Sequence, residues 1–472
     1  MAAGDRRFAI AARAGFALAA AAIVLGAISL ARGDTIDDYV ETQTRELRLP
    51  GLALAVVREG EVATIRTYGR ANLELDVPVT EETVFEIGSL TKQFTSAALM
   101  MLVEEGKVAL DDSIAKHLPQ IPSKWRGITV RHLLTHSGGI QEYLSVAGLA
   151  DRAHAASSHD EMTRLLGQRL KLEFAPGETW AYSNPGYLLL GNIIERASGK
   201  PYWEFLSERI FAPLGMPATR SSDPRALIPK RAAGYGWRGA QFENRGALHE
   251  NAYAAGAIAS TIRDMARWAT ALQRRELLSR KSWDEIWTPL TVSRRAVPPF
   301  SYGFGWVVDF EHGKRAVFHS GGTPGFSSAI RRYPDEGLAV IVLANHGDRI
   351  LDHLPMEIAA IVSPALAREQ PTPDPDPARN ERLTTALRGM LNGKPDPKLF
   401  TPAMQLFLQT SSGRGLGEWV ASHGDLKSLT YSQTEPAGEN STVRYRALVG
   451  QAHLWFSFTV TRDEKIAQVY WW

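Results

Sequence analysis

Ser89 and Lys92 lie three residues apart in the amphipathic stretch "FEIGSLTKQFTSAALMML", residues 85–102. On a helix this spacing places both side chains on one face, where the lysine amine can help to remove the serine proton. Ser113 and Lys116 have the same spacing, so the spacing alone is weak evidence. Ser89 follows a β-rich segment and opens the longer helical run, whose N–H groups would favour a developing anion. The context indicates Ser89 as the nucleophile, with an ordinary helix cap as the competing interpretation.

Two later segments carry polar side chains at the ends of predicted elements. In "WAYSNPGY", Tyr182 and Asn184 precede a helix. A tyrosine can shuttle protons once a nearby cation lowers its pKa, and an asparagine amide can hold an acyl carbonyl. In "FHSGGTPGFSS" a strand ends in residues whose glycines let a substrate approach the backbone, namely His319, Ser320, Gly321 and Gly322. Taken singly, the two segments could be a turn with an aromatic anchor and a glycine-rich hairpin loop.

The three segments together, in the order Ser-x-x-Lys, Tyr-x-Asn and His-x-Gly, resemble the serine β-lactamase and penicillin-binding protein superfamily. The resemblance is greatest to the branch that holds class C β-lactamases, D-alanyl-D-alanine carboxypeptidases, D-aminopeptidases and related esterases. It covers about residues 35–364. Further stretches similar to this branch are "VRHLLTHSGG" (130–139), "IFAPLGMPAT" (210–219), "AAGAIAST" (254–261) and "SYGFGW" (301–306).

The resemblance implies a role for each matching residue. Ser89 would attack a carbonyl to give an acyl-enzyme that water later cleaves, while Lys92 and Tyr182 share the proton transfers. Asn184 would hold the substrate, and His319 would complete the hydrogen-bond network. The glycine-rich strand end would bind substrate through Ser320, Gly321 and Gly322, with the N–H groups of Ser89 and Gly322 forming an oxyanion hole. The substrate would be a small molecule or a peptide, and the reaction needs no metal or cofactor.

His319 departs from the β-lactamase pattern, which usually has lysine at this position. A histidine is largely neutral near pH 7, so the site lacks a fixed cation for a substrate carboxylate. We therefore expect an esterase or D-amino-acid peptidase whose β-lactam hydrolysis is weak or absent. Acidification toward about pH 6 should reduce the preference for neutral substrates as imidazolium forms. Arg331 and Arg332, on the following strand, are the next candidates for recognising a carboxylate.

Other functions fit the sequence less well. His132 and His136 have the i, i+4 spacing of zinc ligands, but the glutamate of His-Glu-x-x-His is absent. We expect this stretch to pack and hydrogen-bond beneath the site. The Gly-x-Ser-x-Gly elbow of an α/β-hydrolase does not occur in the sequence. One alternative of a different class stays open, a penicillin-binding or cell-wall-sensing protein that retains the acylation pocket without turnover.

The elements that must position these residues predict an α/β fold. A helical pattern from about 34 to 48 precedes a β-hairpin, and strand patterns return between 303 and 346. We expect the hairpin and the late strands to share one sheet. Between about 106 and 294 the pattern is mostly helical. The resemblance implies a β-lactamase-like antiparallel sheet flanked by helices, with this mostly helical segment as an insertion.

The proline-rich stretch "EQPTPDPDPARN" predicts a change of domain. Residues 34–365 form the predicted hydrolase domain, and 366–380 form a stiff linker that continues neither a helix nor a strand. Residues 381–472 form a small α+β domain, with two helical runs followed by three strands. Its tryptophans, Trp455, Trp471 and Trp472, are predicted to be core or sheet-face residues. We expect the first domain to fold and acylate without the second.

Composition narrows the partners and the location of the chain. Its 472 residues carry a formal charge of +2 and no cysteine, which excludes disulfides and thiolate chemistry and makes nucleic acid an improbable partner. Arg6, Arg7 and Arg13 precede an uncharged run over 14–31, which predicts a signal peptide over 1–33 or an uncleaved membrane anchor. Either reading places the mature chain in the periplasm or on the outer face of the inner membrane.

Overall fold

The computed structural model describes most of the chain. The described residues are 35–149, 158–246, 252–290, 301–311, 313–349, 351–367, 373–422, 424–437, 439–450 and 452–471. The predicted signal peptide or membrane anchor, residues 1–33, lies outside them, as does Trp472. Within the described ranges, no helix combines the length and the apolar character needed to cross a membrane.

Strands form one seven-stranded, one four-stranded, one three-stranded and one two-stranded sheet within the described residues. In chain order they are β1 (Gly51–Arg58), β2 (Glu61–Asn72), β3 (Val77–Pro78), β4 (Val84–Glu86), β5 (Arg220–Ser221), β6 (Gly234–Arg238), β7 (Gln241–Arg245), β8 (Ile258–Thr261), β9 (Val307–Glu311), β10 (Lys314–Thr323), β11 (Phe326–Tyr333), β12 (Leu338–Ala344), β13 (Leu426–Ala437), β14 (Asn440–Val449), β15 (Ala452–Val460) and β16 (Ile466–Trp471).

Helices precede, interrupt and follow these strands. They are α1 (35–46), α2 (Thr91–Glu104), α3 (Ile114–His117), α4 (Val130–Leu134), α5 (His159–Arg169), α6 (Asn184–Ser198), α7 (Tyr202–Leu206), α8 (Tyr253–Gly256), α9 (Ile262–Arg274), α10 (Arg280–Ile286), α11 (His353–Val362), α12 (Pro377–Leu391), α13 (Pro402–Leu408) and α14 (Ser411–Ala421).

The seven-stranded sheet has the order β3-β2-β1-β12-β11-β10-β9 and is antiparallel throughout. The early hairpin therefore lies beside the late strands, which confirms the predicted sheet. Its two faces are buried by different parts of the chain. Along β12, Val340 and Val342 pack with α1 and the C-terminal elements, whereas Ile341 and Leu343 pack with α2 and α9. Strand side chains alternate between faces, so a single apolar strand contributes to two cores.

The insertion between the two parts of the sheet is not only helical. It also contains β5 to β8, and β8 pairs with both β4 and β5. All four residues of β8 are buried, so this strand shows no alternation, and a run this short cannot be told from a helix by its pattern. The insertion is mostly helical, as predicted, and also contains these four short strands.

The linker that was predicted over 366–380 is shorter in the structure. Leu366 is buried in the core, and α12 already begins at Pro377. Proline is compatible with the first helical turn because its missing N–H would have no partner there. Asp376 caps this helix by accepting the N–H of Arg379 at 2.9 Å. The prolines of this stretch therefore mark the start of a helix as well as a break in regular secondary structure.

The C-terminal unit, defined as α12 to α14 with β13 to β16, is larger than predicted. Its sheet has four antiparallel strands in the order β13-β14-β15-β16. Strand β13, "LKSLTYSQTEPA", is an edge strand with many polar residues and so lacks the apolar signal of its neighbours. Trp455, on β15, is half-buried.

The C-terminal unit packs directly on the large sheet. Phe456 of β15 and Met404 of α13 belong to the same continuous apolar core as Leu54 and Val342 of the large sheet. A polar contact also joins the unit to the segment before α6, where Thr179 Oγ1 donates to the carbonyl oxygen of Ala403 at 3.2 Å. The unit therefore covers apolar surface that the hydrolase part of the chain would otherwise expose.

Candidate active site

Ser89 lies just before α2, in a 3₁₀ turn formed by Gly88–Leu90. Gly88 has a φ of +51°, a left-handed conformation that glycine adopts without steric cost. The residue at the N-cap position of α2 is Leu90, and no side chain caps this helix. The competing interpretation of Ser89 as an ordinary helix cap is therefore wrong, and its half-buried hydroxyl is available to other partners.

Lys92 is fully buried, and its amine lies among three oxygen atoms. Nζ is 3.0 Å from Ser89 Oγ, 2.8 Å from Asn184 Oδ1 and 2.7 Å from the carbonyl oxygen of Ala255. Burial lowers the pKa of Lys92 to about 7, although nearby Glu142 opposes the shift. Near neutral pH a large share of the amine is therefore unprotonated and can accept a proton.

Tyr182 contacts the same serine from the other side. Its phenol donates a hydrogen bond to Ser89 Oγ at 2.8 Å, and Lys92 Nζ lies 4.7 Å from the centre of its ring. Burial raises the pKa of Tyr182. The expectation that a neighbouring cation lowers this pKa is wrong, because burial and then the charge of Glu142 raise it and only the hydrogen bond with Ser89 opposes the rise. The phenol therefore stays protonated at neutral pH.

Asn184 is the first residue of α6 and contacts both Lys92 and the carboxylate of Glu142, a residue that was not predicted from the sequence. Its backbone N–H donates to Glu142 Oε2 at 2.7 Å, and the other oxygen of Glu142 accepts the N–H of Leu144 at 3.1 Å. Burial raises the pKa of Glu142, and these N–H donors and Lys92 oppose the rise. This glutamate follows a glycine pair, and no second functional residue stands at a characteristic distance from it in the sequence. No sequence pattern could therefore have indicated it.

His319, on β10, makes its hydrogen bonds away from Ser89. Nδ1 is 2.6 Å from the carbonyl oxygen of Ser320, which can only accept, so Nδ1 carries the ring proton. Nε2 then accepts the hydroxyl proton of Tyr302 at 2.8 Å. Burial and, to a lesser extent, the charge of Lys92 lower the pKa of His319 to about 3. The ring is neutral, as expected, but the predicted imidazolium toward about pH 6 is wrong because the site is desolvated.

Aromatic rings pack beneath these groups and include a second residue that sequence reasoning missed. The His136 ring lies 4.4 Å from the Tyr182 ring and 4.7 Å from the Tyr302 ring, and its Nδ1 accepts the N–H of Ser183 at 3.1 Å. This confirms for His136 the expected packing beneath the site, while His132 closes the capping box of α4. Tyr302 is one of three aromatic residues in "SYGFGW", a stretch whose pattern gave no sign of the contact with His319.

The end of β10 lies against the turn that holds Ser89. A Cβ atom on Gly88 would lie 2.7 Å from Gly322 N, and one on Gly321 would overlap the carbonyl oxygen of Ile87. Only glycine permits this approach, which brings the Gly322 backbone next to that of Ser89. No atom lies within 4 Å of the place where Gly322 would carry a Cβ, so this face is open to a substrate.

The second Ser-x-x-Lys pair does not reach this site. Ser113 caps the short helix α3 by accepting the N–H of Ala115 at 3.2 Å. Lys116 is exposed and forms an ion pair with Asp112 at 2.8 Å. The structure therefore distinguishes the two pairs as the sequence context did.

Arg331 and Arg332 do not supply a cation to the site. Arg331 is buried and forms an ion pair with Glu311, and Arg332 is buried with its guanidinium 4.6 Å from the centre of the Trp287 ring. Both side chains are engaged in packing on β11, so their selection as candidates for carboxylate recognition is wrong.

Comparison with known proteins identifies relatives of most of the chain. The protein family described as Beta-lactamase matches residues 36–363. Penicillin-binding protein 4* of Bacillus subtilis (strain 168) is 32% identical over an alignment of 321 residues, and the match covers 65% of this chain and 70% of that protein.

Two solved structures share the fold. D-amino acid amidase from Ochrobactrum anthropi SV3, complexed with D-phenylalanine, has a TM-score of 0.57 and 27% identity, over 70% of this chain and 96% of that one. The octameric penicillin-binding protein homologue from Pyrococcus abyssi has a TM-score of 0.61 and 21% identity, over 91% of this chain and 96% of that one. The similarity to the Pyrococcus abyssi structure shows a shared fold and nothing more.

Proposed function

This chain is a member of the beta-lactamase family and a serine hydrolase, and from that premise we propose that it cleaves ester or amide bonds through an acyl-enzyme on Ser89. The observation that carries the proposal is the pair of contacts to Ser89 Oγ. Lys92 Nζ lies 3.0 Å from this atom and the Tyr182 hydroxyl 2.8 Å from it. A serine flanked by a base and by a protonated phenol can both lose a proton and pass one on.

Lys92 acts as the base in acylation. A neutral amine has two hydrogens and one lone pair, and two of its neighbours, Asn184 Oδ1 and the Ala255 carbonyl oxygen, can only accept. These acceptors take both hydrogens, so the lone pair is left for the Ser89 hydroxyl. Ser89 Oγ then forms a bond to the substrate carbonyl carbon, and its proton passes to Lys92.

Charge develops on the carbonyl oxygen in this step and needs donors that are already in place. The N–H groups of Ser89 and Gly322 serve as those donors, and the close approach of the two backbone segments at Gly88 supports this assignment. The rest of the substrate lies along the end of β10, at Ser320 and Gly321, with half-buried Asn184 opposite.

The tetrahedral intermediate collapses when the bond to the alcohol or amine breaks, and the departing atom takes a proton from Tyr182. The Lys92 ammonium replaces that proton. A water molecule then cleaves the acyl-enzyme by the reverse route, in which Lys92 accepts a proton from the water and Ser89 regains its own. Neutral His319 adds no positive charge beside Ser89, so β-lactam hydrolysis is weak or absent.

Amides of amino acids with a free amino group form the second candidate substrate class. Glu142 favours it, because within the described part of the chain its half-buried carboxylate is influenced by one cation, Lys92, and loses that partner once Lys92 is neutral. Similarity to a D-amino acid amidase supports the same class. Glu142→Gln should lower kcat/KM for D-phenylalanine amide at least about tenfold more than for its N-acetyl derivative. Equal losses on both amides would remove this candidate.

A panel of substrates tests the proposal against the alternative of a binding or sensing protein. Purified protein should hydrolyse p-nitrophenyl esters or D-amino-acid amides much faster than nitrocefin. Ser89→Ala should abolish every activity, whereas Ser113→Ala should leave all of them unchanged. Stable labelling by a fluorescent penicillin, without turnover of any ester or amide, would instead favour the alternative.

We also propose that the chain is exported and acts in the periplasm or on the outer face of the inner membrane. The three arginines before the uncharged run 14–31 support this location. Cell fractionation with N-terminal sequencing of the mature protein tests it. A new N-terminus near residue 34 would indicate cleavage, an intact N-terminus in the membrane fraction would indicate an anchor, and intact protein in the cytosol would contradict both.

A further inference from the structure

A cavity of about 510 Å³ is lined by Tyr182, whose hydroxyl lies 2.8 Å from Ser89 Oγ, and the C-terminal unit forms one of its walls. The hydrolase part contributes Tyr182, His319 and Ser320. The opposite wall is made of residues from α13, α14 and β16, namely Phe407, Gly415, Leu416 and Tyr470. Ser412 fixes α14 at this wall by donating to the carbonyl oxygen of Tyr182 at 3.0 Å. The C-terminal unit thus reaches the residue that contacts the nucleophile.

The lining of the cavity suits an uncharged apolar group. Trp180, Leu351, Phe407 and Leu416 all contribute to it, and its volume lies within the range of about 300–1,000 Å³ found for ligand pockets. Three charged residues also line it, namely Asp348, Arg349 and Asp352. Asp352 is only 7% exposed, and the Tyr470 hydroxyl donates to it at 3.4 Å. Each of these charged side chains already contacts another group, since Asp348 accepts the N–H of Trp237 and Arg349 donates to the carbonyl oxygen of Leu47. The apolar residues are therefore left to hold an uncharged substituent.

The position of Tyr182 decides which part of a substrate enters. Tyr182 both lines the cavity and gives its proton to the departing atom in the proposed reaction. The departing group should therefore lie beside Tyr182, on the side of Ser89 where this residue lines the cavity. Resting on the proposed function, we propose that the cavity binds the apolar substituent of the leaving alcohol or amine, and that the C-terminal unit sets how large this substituent can be.

Gly415 offers a direct way to change the size of the cavity. A Cβ on Gly413 would overlap the Phe407 carbonyl oxygen, and one on Gly417 would overlap that of Met390. These two glycines let α14 pack against α12 and α13. Gly415 lines the cavity, and no atom of the described residues lies within 4 Å of its would-be Cβ, so a larger side chain has room there and should narrow the cavity. Leucine is also a better helix former than glycine, so Gly415→Leu should fold.

Two isomeric esters distinguish binding of the alcohol part of a substrate from binding of its acyl part. Hexyl acetate carries six carbons on the alcohol side, and ethyl hexanoate carries them on the acyl side. Gly415→Leu should lower the ratio of kcat/KM for hexyl acetate to that for ethyl hexanoate at least about tenfold, since each buried methylene contributes about fourfold. Glu418→Leu, an exposed position on the same helix, is the matched control and should keep the wild-type ratio. An unchanged ratio in Gly415→Leu would overturn the inference, and a rise would assign the cavity to the acyl group.

Binding of the released alcohol tests the cavity without any turnover. 1-Hexanol should bind wild-type, Glu418→Leu and Ser89→Ala proteins alike, measured by calorimetry, and at least about tenfold more weakly to Gly415→Leu. Equal binding to wild type and Gly415→Leu would overturn the inference even if no ester is hydrolysed. Loss of all hydrolysis with intact, Gly415-dependent hexanol binding would instead contradict the proposed reaction and leave the cavity assignment standing.

Discussion

Lys92 is the residue on whose protonation the proposed reaction depends. Burial lowers its pKa to about 7, and only the neutral amine can take the Ser89 proton. We therefore expect kcat/KM for a neutral ester to rise with pH and to reach a plateau, with a midpoint near 7. A pH–rate profile measures this directly. A midpoint near 10, the value of an ordinary lysine, would contradict the role of burial.

A second single residue, His319, should not change its protonation state in the pH range in which activity is measured. Its pKa is lowered to about 3 by burial and then by Lys92, so the ring is neutral above about pH 4. The ratio of kcat/KM for a neutral ester to that for its carboxylated analogue should therefore not change through His319 between about pH 5 and pH 8. His319→Gln, which cannot become charged, serves as the control and should show the same pH dependence of the ratio. A step near pH 6.5 that disappears in His319→Gln would show that the imidazole ionises.

At the scale of elements, the reaction requires the end of β10 to lie against the turn before α2. A Cβ on Gly321 would overlap the Ile87 carbonyl oxygen, so Gly321→Ala should lower the free energy of unfolding by about 1–3 kcal/mol and reduce activity. Gly322→Ala is the matched control for stability, because its Cβ would meet nothing within 4 Å. Thermal and urea unfolding measure both variants, and equal stabilities would show that the contact is not tight.

Elements with a long apolar run or a clear turn signal could be predicted from the sequence, and those without one could not. β12 and the helix end at Gly199 follow from apolar runs and turn signals, whereas buried β8 and polar β13 have no such pattern. The same division holds in the site. Ser89 and Lys92 are separated by one helical turn, so their pairing is local. Glu142 and Tyr302 reach the site only through tertiary packing, which leaves no spacing in the chain to detect.

At the scale of the whole molecule, the hydrolase part is not expected to be independent of the C-terminal unit. Leu54 and Val342 of the large sheet share a continuous core with Phe456 and Met404 of that unit. The sequence-based expectation that the first domain folds and acylates alone therefore needs revision. Removal of residues 366–472 should expose this apolar face and produce aggregation, measured by size-exclusion chromatography beside the full chain. A monomeric fragment with the melting temperature of the full chain would contradict the shared core.

The central claim, an acyl-enzyme on Ser89, is tested most directly by intact-mass spectrometry of the protein quenched in acid during turnover of a p-nitrophenyl ester. The wild-type and Ser113→Ala proteins should gain the mass of one acyl group, and peptide mapping should place it on Ser89. Ser89→Ala should gain none. An adduct of equal occupancy in Ser89→Ala, or one mapped to another residue, would contradict the account.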